Sequence, residues 1–143
     1  MYKTIITGTD GSPTAALAVQ AAVELAAAQN ATLHIVSVMA PLNASVLAQG
    51  AVPSSWFDLQ RSACESLLAD GERTAVAAGA KVETHAIEGD PAATLIAVAE
   101  QHDADLIVVG NRGMKGLGRF VLGSVPNRVA HHATCSVLIV HTV

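Results

Sequence analysis

Short apolar, β-branched runs alternate along the chain with longer segments whose apolar residues recur at helical spacing. The short runs predict five strands, at residues 3–9, 32–39, 81–88, 106–109 and 136–142. The longer segments predict four helices, at residues 13–29, 56–78 and 92–102 and from residue 124 onward. Strict alternation of strands and helices is typical of a parallel sheet with helices on both faces, joined by right-handed crossovers.

Local sequence marks several of these boundaries. Ser12 followed by Pro13 predicts an N-cap and a first helical residue, and Asp90-Pro91 repeats the arrangement before the third helix. Apolar and polar residues alternate over 81–88, which predicts an edge strand with one wetter face. The stretch 41–55 is rich in proline, serine and glycine and predicts a long connection, either a lid or an inserted loop.

The apolar run at 106–109 stops at a loop rich in glycines and cations. These are Gly110, Gly113, Gly116 and Gly118 with Arg112, Lys115 and Arg119. Gly123-Ser124 then begins a helix that has Pro126 in its first turn, where a missing N–H costs little. Glycines admit close approach of a ligand, and a helix N-terminus offers unpaired N–H groups, so the stretch suits a bound phosphate. Considered alone, the same glycines can be turn residues and the same cations solvated side chains.

The spacing of three of these glycines matches the motif of a known protein family. Gly110-x2-Gly113-x9-Gly123-Ser124 resembles G-x2-G-x9-G-[ST], the nucleotide-binding motif of the universal stress protein family. The segment Ile5 to Ser12 is similar to that family's first strand and acidic turn, and Cys135 to Val140 is similar to its last strand. The resemblance covers essentially the whole chain and implies one universal stress protein domain over residues 1–143.

The resemblance implies a fold and a ligand. The fold is α/β, a single open five-stranded parallel sheet in the order 3-2-1-4-5, Rossmann-like, with helices on both faces. In such a sheet ligands bind beyond the carboxyl ends of the strands where the winding direction switches. The implied ligand is ATP or a related adenine nucleotide (AMP, ADP or cyclic AMP), which Mg²⁺ could accompany.

The same resemblance, with the switch point, selects the candidate nucleotide-binding residues. Asp10 is expected near the adenosine end, and the main chain of Val38 is expected to meet the adenine. Phosphates are expected at the start of the fourth helix, and charge alone adds Arg112 to the set. The complete set is Gly8, Thr9, Asp10, Val38, Val109, Gly110, Arg112, Gly113, Gly123, Ser124 and Val125. The alternative role for Asp10 is a turn carboxylate stabilised by the dipole of the first helix.

Composition and charge exclude several classes of protein. The chain has 143 residues, enough for one domain with a proper core, and its formal net charge of −4 disfavours nucleic-acid binding. No apolar run approaches the roughly 20 residues of a membrane span, and the N-terminus does not resemble a signal peptide. The two cysteines, Cys64 and Cys135, are expected to be small buried hydrophobes. We therefore expect a soluble, cytoplasmic protein.

The histidines do not suggest a metal site. His131 and His132 are adjacent and would point to different sides of a helix. The remaining histidines are expected to be isolated from one another, either at the surface or hydrogen-bonded in the core. They are His34, His85, His102 and His141.

No nucleophile–base pair can be recognised either, because Ser124 has no fixed general base in sequence. The leading hypothesis is therefore a nucleotide-binding regulatory protein with little or no catalysis. The alternatives are a scaffold protein whose nucleotide site is vestigial and a weak ATPase or nucleotidyl-transfer enzyme. The resemblance also implies a homodimer that pairs the last strand, around residues 137–143, across a two-fold axis.

Overall fold

Five parallel strands form one sheet in the computed structural model, which describes residues 1–41, 48, 50, 52–112 and 122–142. The strands are β1 Thr4–Gly8, β2 Thr32–Met39, β3 Lys81–Glu88, β4 Leu106–Gly110 and β5 Ser136–Val140. The helices are α1 Pro13–Gln29, α2 Ser54–Ala77, α3 Pro91–Gln101 and α4 Ser124–His132. The order across the sheet is β3-β2-β1-β4-β5, which confirms the predicted topology and places β3 at an edge.

One face of the sheet packs against α1 and α2. Ile5, Leu33 and Leu106 point to this face, where they form a buried cluster with Val23 of α1 and Leu68 of α2. Full burial of each such side chain contributes about 1.5–3 kcal/mol to stability.

The opposite face packs against α3 and α4. Ile6, Val36 and Ile107 form the second cluster, together with Leu95 of α3 and Val129 of α4. Because both faces are covered, the central strands are apolar on both sides, as the runs in the sequence predict. The prediction of helices on both faces is confirmed.

The predicted helix starts are confirmed by their capping bonds. Ser12 Oγ accepts a hydrogen bond from Ala15 N at 3.1 Å, and Asp90 Oδ2 accepts one from Ala93 N at 2.9 Å. Each bond satisfies one of the amide groups that a helix leaves unpaired at its N-terminus. Helix α2 begins at Ser54, two residues before the predicted start, and much of the predicted connection 41–55 lies outside the described residues.

The amino ends of β1 and β4 are tied together by one carboxylate. Asp105, the residue before β4, accepts hydrogen bonds from Lys3 N at 2.9 Å and from Thr4 N at 3.1 Å. In return, Asp105 N donates to Thr4 O at 3.1 Å. These bonds fix the register in which Ile5 lies beside Leu106.

The expectation that His34, His85 and His102 are isolated is wrong. His34 Nδ1 lies 2.9 Å from His85 Nε2, and the ring centroids of His34 and His102 are 4.2 Å apart. The three come together because β2 pairs with β3, while α3 crosses that face and ends beside them. This proximity depends on tertiary packing and has no local sequence pattern.

None of the described helices is both long enough and apolar enough to span a membrane.

Replacement of Asp105 by alanine tests the anchor between β1 and β4. Asp105→Ala leaves two backbone N–H groups without their charged acceptor, so we expect the free energy of unfolding to fall by about 1–3 kcal/mol. Urea denaturation measures the change. Asp58→Ala is the matched control, because Asp58 is exposed on α2 and accepts no hydrogen bond from the described residues. Equal effects of the two substitutions would contradict the proposed anchor.

Candidate functional site

A cleft opens where the carboxyl ends of β1 and β4 separate. The chain leaves β1 towards α1 on one face of the sheet and leaves β4 towards α4 on the other. This divergence is the topological switch point of the sheet. The residues around the cleft enclose a volume of about 150 Å³, and the cleft is open to solvent.

Most of the predicted site residues meet at this cleft. Eight of them line it: Gly8, Thr9, Asp10, Val38, Val109, Gly110, Arg112 and Val125. Gly123 and Ser124 directly precede Val125, as the N-cap and first residue of α4. Gly113, together with Lys115 and Arg119, lies outside the described residues. The structure therefore brings Asp10 close to Gly110, as the predicted strand order requires.

The apolar wall of the cleft is not among the features predicted from the sequence. The additional lining residues are Ala15, Ala18, Val36, Pro91, Leu95 and Pro126. Ala15 and Ala18 lie three positions apart in the first turns of α1, where small side chains leave room beside the sheet. That spacing, directly after the acidic turn, could have identified them. The two prolines were interpreted only as helix-start residues.

The backbone of Val38 faces the cleft without a partner in β1. In a parallel ladder, alternate residues direct both their N–H and C=O groups to the same edge of the strand. The N–H and C=O groups of Val36 point to the edge of β2 that faces β1. There the Val36 carbonyl accepts a hydrogen bond from Thr9 N at 2.9 Å. Two residues on, Val38 faces the same edge, but the last residue of β1 is Gly8, which pairs with Val36. No described β1 residue therefore pairs with the Val38 backbone.

The start of α4 supplies backbone donors at the other end of the cleft. Gly123 N donates to Asn111 O at 3.0 Å, and Pro126 has no N–H. The remaining first-turn amides, those of Ser124 and Val125, have no partner among the described residues. Unpaired amides at a helix N-terminus favour a negatively charged ligand.

Arg112 adds a cation to the same region. Its Nε atom is buried and has no hydrogen-bond partner within the described part of the chain. A buried guanidinium N–H without an acceptor is costly, and an anionic ligand oxygen would satisfy it.

Asn111 fixes the segment that carries these groups. Its side-chain oxygen accepts from Thr142 N at 2.9 Å and from Thr142 Oγ1 at 2.7 Å. Its backbone N–H donates to Val140 O, and its carbonyl accepts from Gly123 N. Asn111 thus joins the end of β4 to the end of β5 and to the start of α4. Nothing in the local sequence distinguishes this residue from an ordinary loop asparagine.

Asp10 has a structural role as well as a place in the cleft. Its Oδ1 atom accepts from Ser12 N at 2.9 Å, which stabilises the turn before α1. Ser12 is in turn the N-cap of that helix. The alternative turn role therefore coexists with the position of Asp10 beside the cleft.

An ion pair joins two of the helices that border the cleft, α3 and α4. Arg128 Nη1 of α4 donates to Asp90 Oδ1 at 2.8 Å, at the start of α3. The hydrogen bond from Arg128, and then that from Ala93 N, holds the pKa of Asp90 below its usual value. The pair lies at the surface, so solvent screens it, and its main effect is to orient α3 relative to α4.

Asn111→Ala tests the support of the α4 start. The substitution leaves the buried Thr142 without its two acceptor contacts, so we expect the free energy of unfolding to fall by about 1–3 kcal/mol. Chemical denaturation measures the loss. Asn127→Ala, on the exposed side of α4, is the control and should change stability by no more than about 0.5 kcal/mol. If Asn111→Ala leaves the free energy of unfolding unchanged, this side chain does not hold the segment.

Known proteins that are similar to this chain in sequence share its fold. The universal stress protein family matches residues 1–141. The universal stress protein Rv1636 of Mycobacterium tuberculosis is 38% identical over 143 residues, covering 99% of this chain and 97% of its own. A crystal structure of a universal stress protein in complex with cAMP is 35% identical with a TM-score of 0.76, over 99% of this chain and 98% of that one. UspA from Lactobacillus plantarum is 26% identical with a TM-score of 0.86, over 98% of each chain. The chain belongs to the universal stress protein family.

Proposed function

We propose that this protein binds an adenine nucleotide, ATP or a close relative, in the cleft between β1 and β4. The observation that carries the proposal is the polarity of the cleft along its length. On the β2 side, the backbone of Val38 faces the cleft without a partner in β1, and on the β4 side lie the α4 amides and Arg112. A nucleotide has the same polarity, with a flat base at one end and anionic phosphates at the other.

The Val38 backbone would select adenine. The N–H group of Val38 can donate to N1 of adenine, while the carbonyl can accept from its N6 amino group. Guanine presents a carbonyl and a protonated N1 at these positions. The Val38 carbonyl would then face another acceptor, and its N–H group would face another donor. Ala15, Ala18 and Leu95 supply the apolar surfaces on which the base would lie.

The phosphates would lie at the start of α4. The amides of Ser124 and Val125 and the Ser124 hydroxyl would donate to phosphate oxygens, and Arg112 would add a charged donor. Gly110 would line the path between base and phosphates. A Cβ atom at Gly110 would lie 3.2 Å from Thr142 Cγ2, so a side chain there requires Thr142 to move. Gly113 remains part of the predicted site.

A relative supports the class of ligand. The cAMP complex is a protein of this family that is 35% identical and covers nearly the whole chain. Asp10 is the only carboxylate among the described residues that line the cleft. A single carboxylate does not form an all-protein metal site, so a Mg²⁺ ion would be held chiefly by the phosphates of a triphosphate.

We further propose that binding serves regulation and not turnover. The described lining residues include no histidine, lysine or cysteine to act as a general base or nucleophile. Binding would instead order the cleft and present a changed surface to partners. ATP turnover above the buffer rate that Asp10→Ala abolishes would contradict this part of the proposal.

A cytoplasmic location fits the state of the cysteines. Cys64 and Cys135 are both free, and Cys64 is buried. Burial, with a smaller contribution from Asp105, raises the pKa of the Cys135 thiol, which keeps it protonated and unreactive.

Arg112→Gln tests the orientation of the nucleotide. We expect the affinity for ATP to fall about tenfold or more, because a charged hydrogen bond to phosphate is lost. The affinity for adenosine should hardly change, since adenosine has no phosphate. Isothermal titration calorimetry measures both ligands.

Arg73→Gln is the matched control, because Arg73 is exposed on α2 and its partner is Asp70 of the same helix. GTP should bind more weakly than ATP to the wild-type protein. Absence of saturable binding of ATP, ADP, AMP and cAMP by folded wild-type protein would overturn the proposed function.

We also propose a homodimer that forms through β5. This strand is at the edge of the sheet, opposite β3, and exposes Leu138 and Ile139 by 40% and 37% of their surfaces. An uncovered apolar edge strand is prone to pair with another strand, and a second copy of β5 would cover it symmetrically.

The double substitution Leu138→Lys and Ile139→Lys tests the dimer. Light scattering at micromolar concentration should give a dimer for the wild-type protein and a monomer for the variant, because paired strands would bring the lysines together. Leu59→Lys with Val76→Lys is the control, since these α2 residues are more exposed, at 70% and 62%. A monomeric wild-type protein would contradict the proposal.

A further inference from the structure

Three histidines form a cluster on the α3 side of the sheet, away from the cleft. His34 lies on β2, His85 on β3, and His102 follows the last residue of α3. One ring nitrogen from each lies within 4.8 Å of the others. Glu83, the β3 neighbour of His34, places Oε2 at 3.3 Å from His34 Nδ1. Imidazoles on three separate elements thus converge beside one carboxylate.

We propose that His34, His85 and His102 bind a transition-metal cation of the Zn²⁺ class. Three imidazole nitrogens are a common ligand set for zinc and copper, and the fourth position would go to water or to the Glu83 carboxylate. The site is independent of the nucleotide cleft. Helix α3 contributes Pro91 and Leu95 to the cleft, while His102 lies roughly 16 Å beyond Pro91 and roughly 10 Å beyond Leu95 along the helix, at about 1.5 Å per residue.

The distances are compatible with a bound metal after small side-chain shifts. Tetrahedral zinc with bonds of about 2.0–2.1 Å needs ligand nitrogens about 3.3 Å apart. His34 Nδ1 and His85 Nε2 are 2.9 Å apart, as expected for a hydrogen bond that a metal ion would replace. Separation of this pair by a few tenths of an ångström, with a rotation of His102 towards them, would complete three bonds.

The histidine cluster is largely buried but open to solvent on one side. His34 is only 3% exposed, while His85 and His102 are partly exposed and give an entry path. Burial, followed by the neighbouring His102, lowers the pKa of both His34 and His85, although Glu83 opposes the shift.

Zinc titration of the untagged full chain, after treatment with a chelator, tests the site. We expect one Zn²⁺ per chain with a dissociation constant in the micromolar range or below. Co²⁺ should bind at the same site and give the visible absorption of a tetrahedral complex with nitrogen ligands. A tag-free protein is essential because a polyhistidine tag would bind both metals.

His102→Gln and His85→Gln each remove one ligand and should weaken Zn²⁺ binding by about tenfold or more. Both side chains are partly exposed, so the variants should fold, and circular dichroism verifies this. The control is His131→Gln with His132→Gln, because these histidines are exposed on α4. Affinity for ATP should be unchanged in all variants.

Two results would overturn the proposed metal site. One is no stoichiometric Zn²⁺ binding by the wild-type chain below about 100 μM, which would leave the cluster as a structural hydrogen-bonded stack. The other is Zn²⁺ binding that survives His102→Gln and His85→Gln but disappears in the His131 and His132 variant. Neither result would affect the proposed nucleotide site.

Discussion

The parallel pairing of β1 with β4 is the constraint on which the rest of the structure depends. The two strands are held at their amino ends by Asp105, and near their carboxyl ends by the buried Thr7, whose Oγ1 donates to Val108 O at 2.9 Å. Because a shift of one residue would exchange the faces of every side chain, this register determines which groups meet. It places Asp10 beside Gly110 and leaves an opening where the two chains diverge.

Much of this arrangement could be predicted because it is encoded locally. Runs covered on both faces are apolar throughout, helix starts require capping residues such as Ser12 and Asp90, and glycines follow the strand that borders the cleft. The strand and helix boundaries depend on spacing along the chain, so they can be predicted without knowledge of distant contacts. The strand order, in contrast, was implied by the resemblance to the universal stress protein family and not by any local pattern.

The rest depends on contacts between residues that are far apart in sequence. Asn111 accepts hydrogen bonds from Thr142 because β4 and β5 end side by side. No local sequence pattern predicts that contact. The histidine cluster arises from the register that pairs His34 with Glu83, together with the point at which α3 ends. The Val38 backbone likewise lacks a partner in β1 because that strand ends at Gly8, which is a property of the neighbouring strand.

A nuclear magnetic resonance titration of the labelled protein with ATP tests the central claim most directly. If the opening beyond β1 and β4 holds the nucleotide, amide resonances of Asp10, Val38, Gly110 and Val125 will shift with a common saturation curve. Resonances at the amino ends of the strands, such as that of Val82, will remain in place. Shifts confined to regions outside the opening, or no saturable shift at all, would contradict the account.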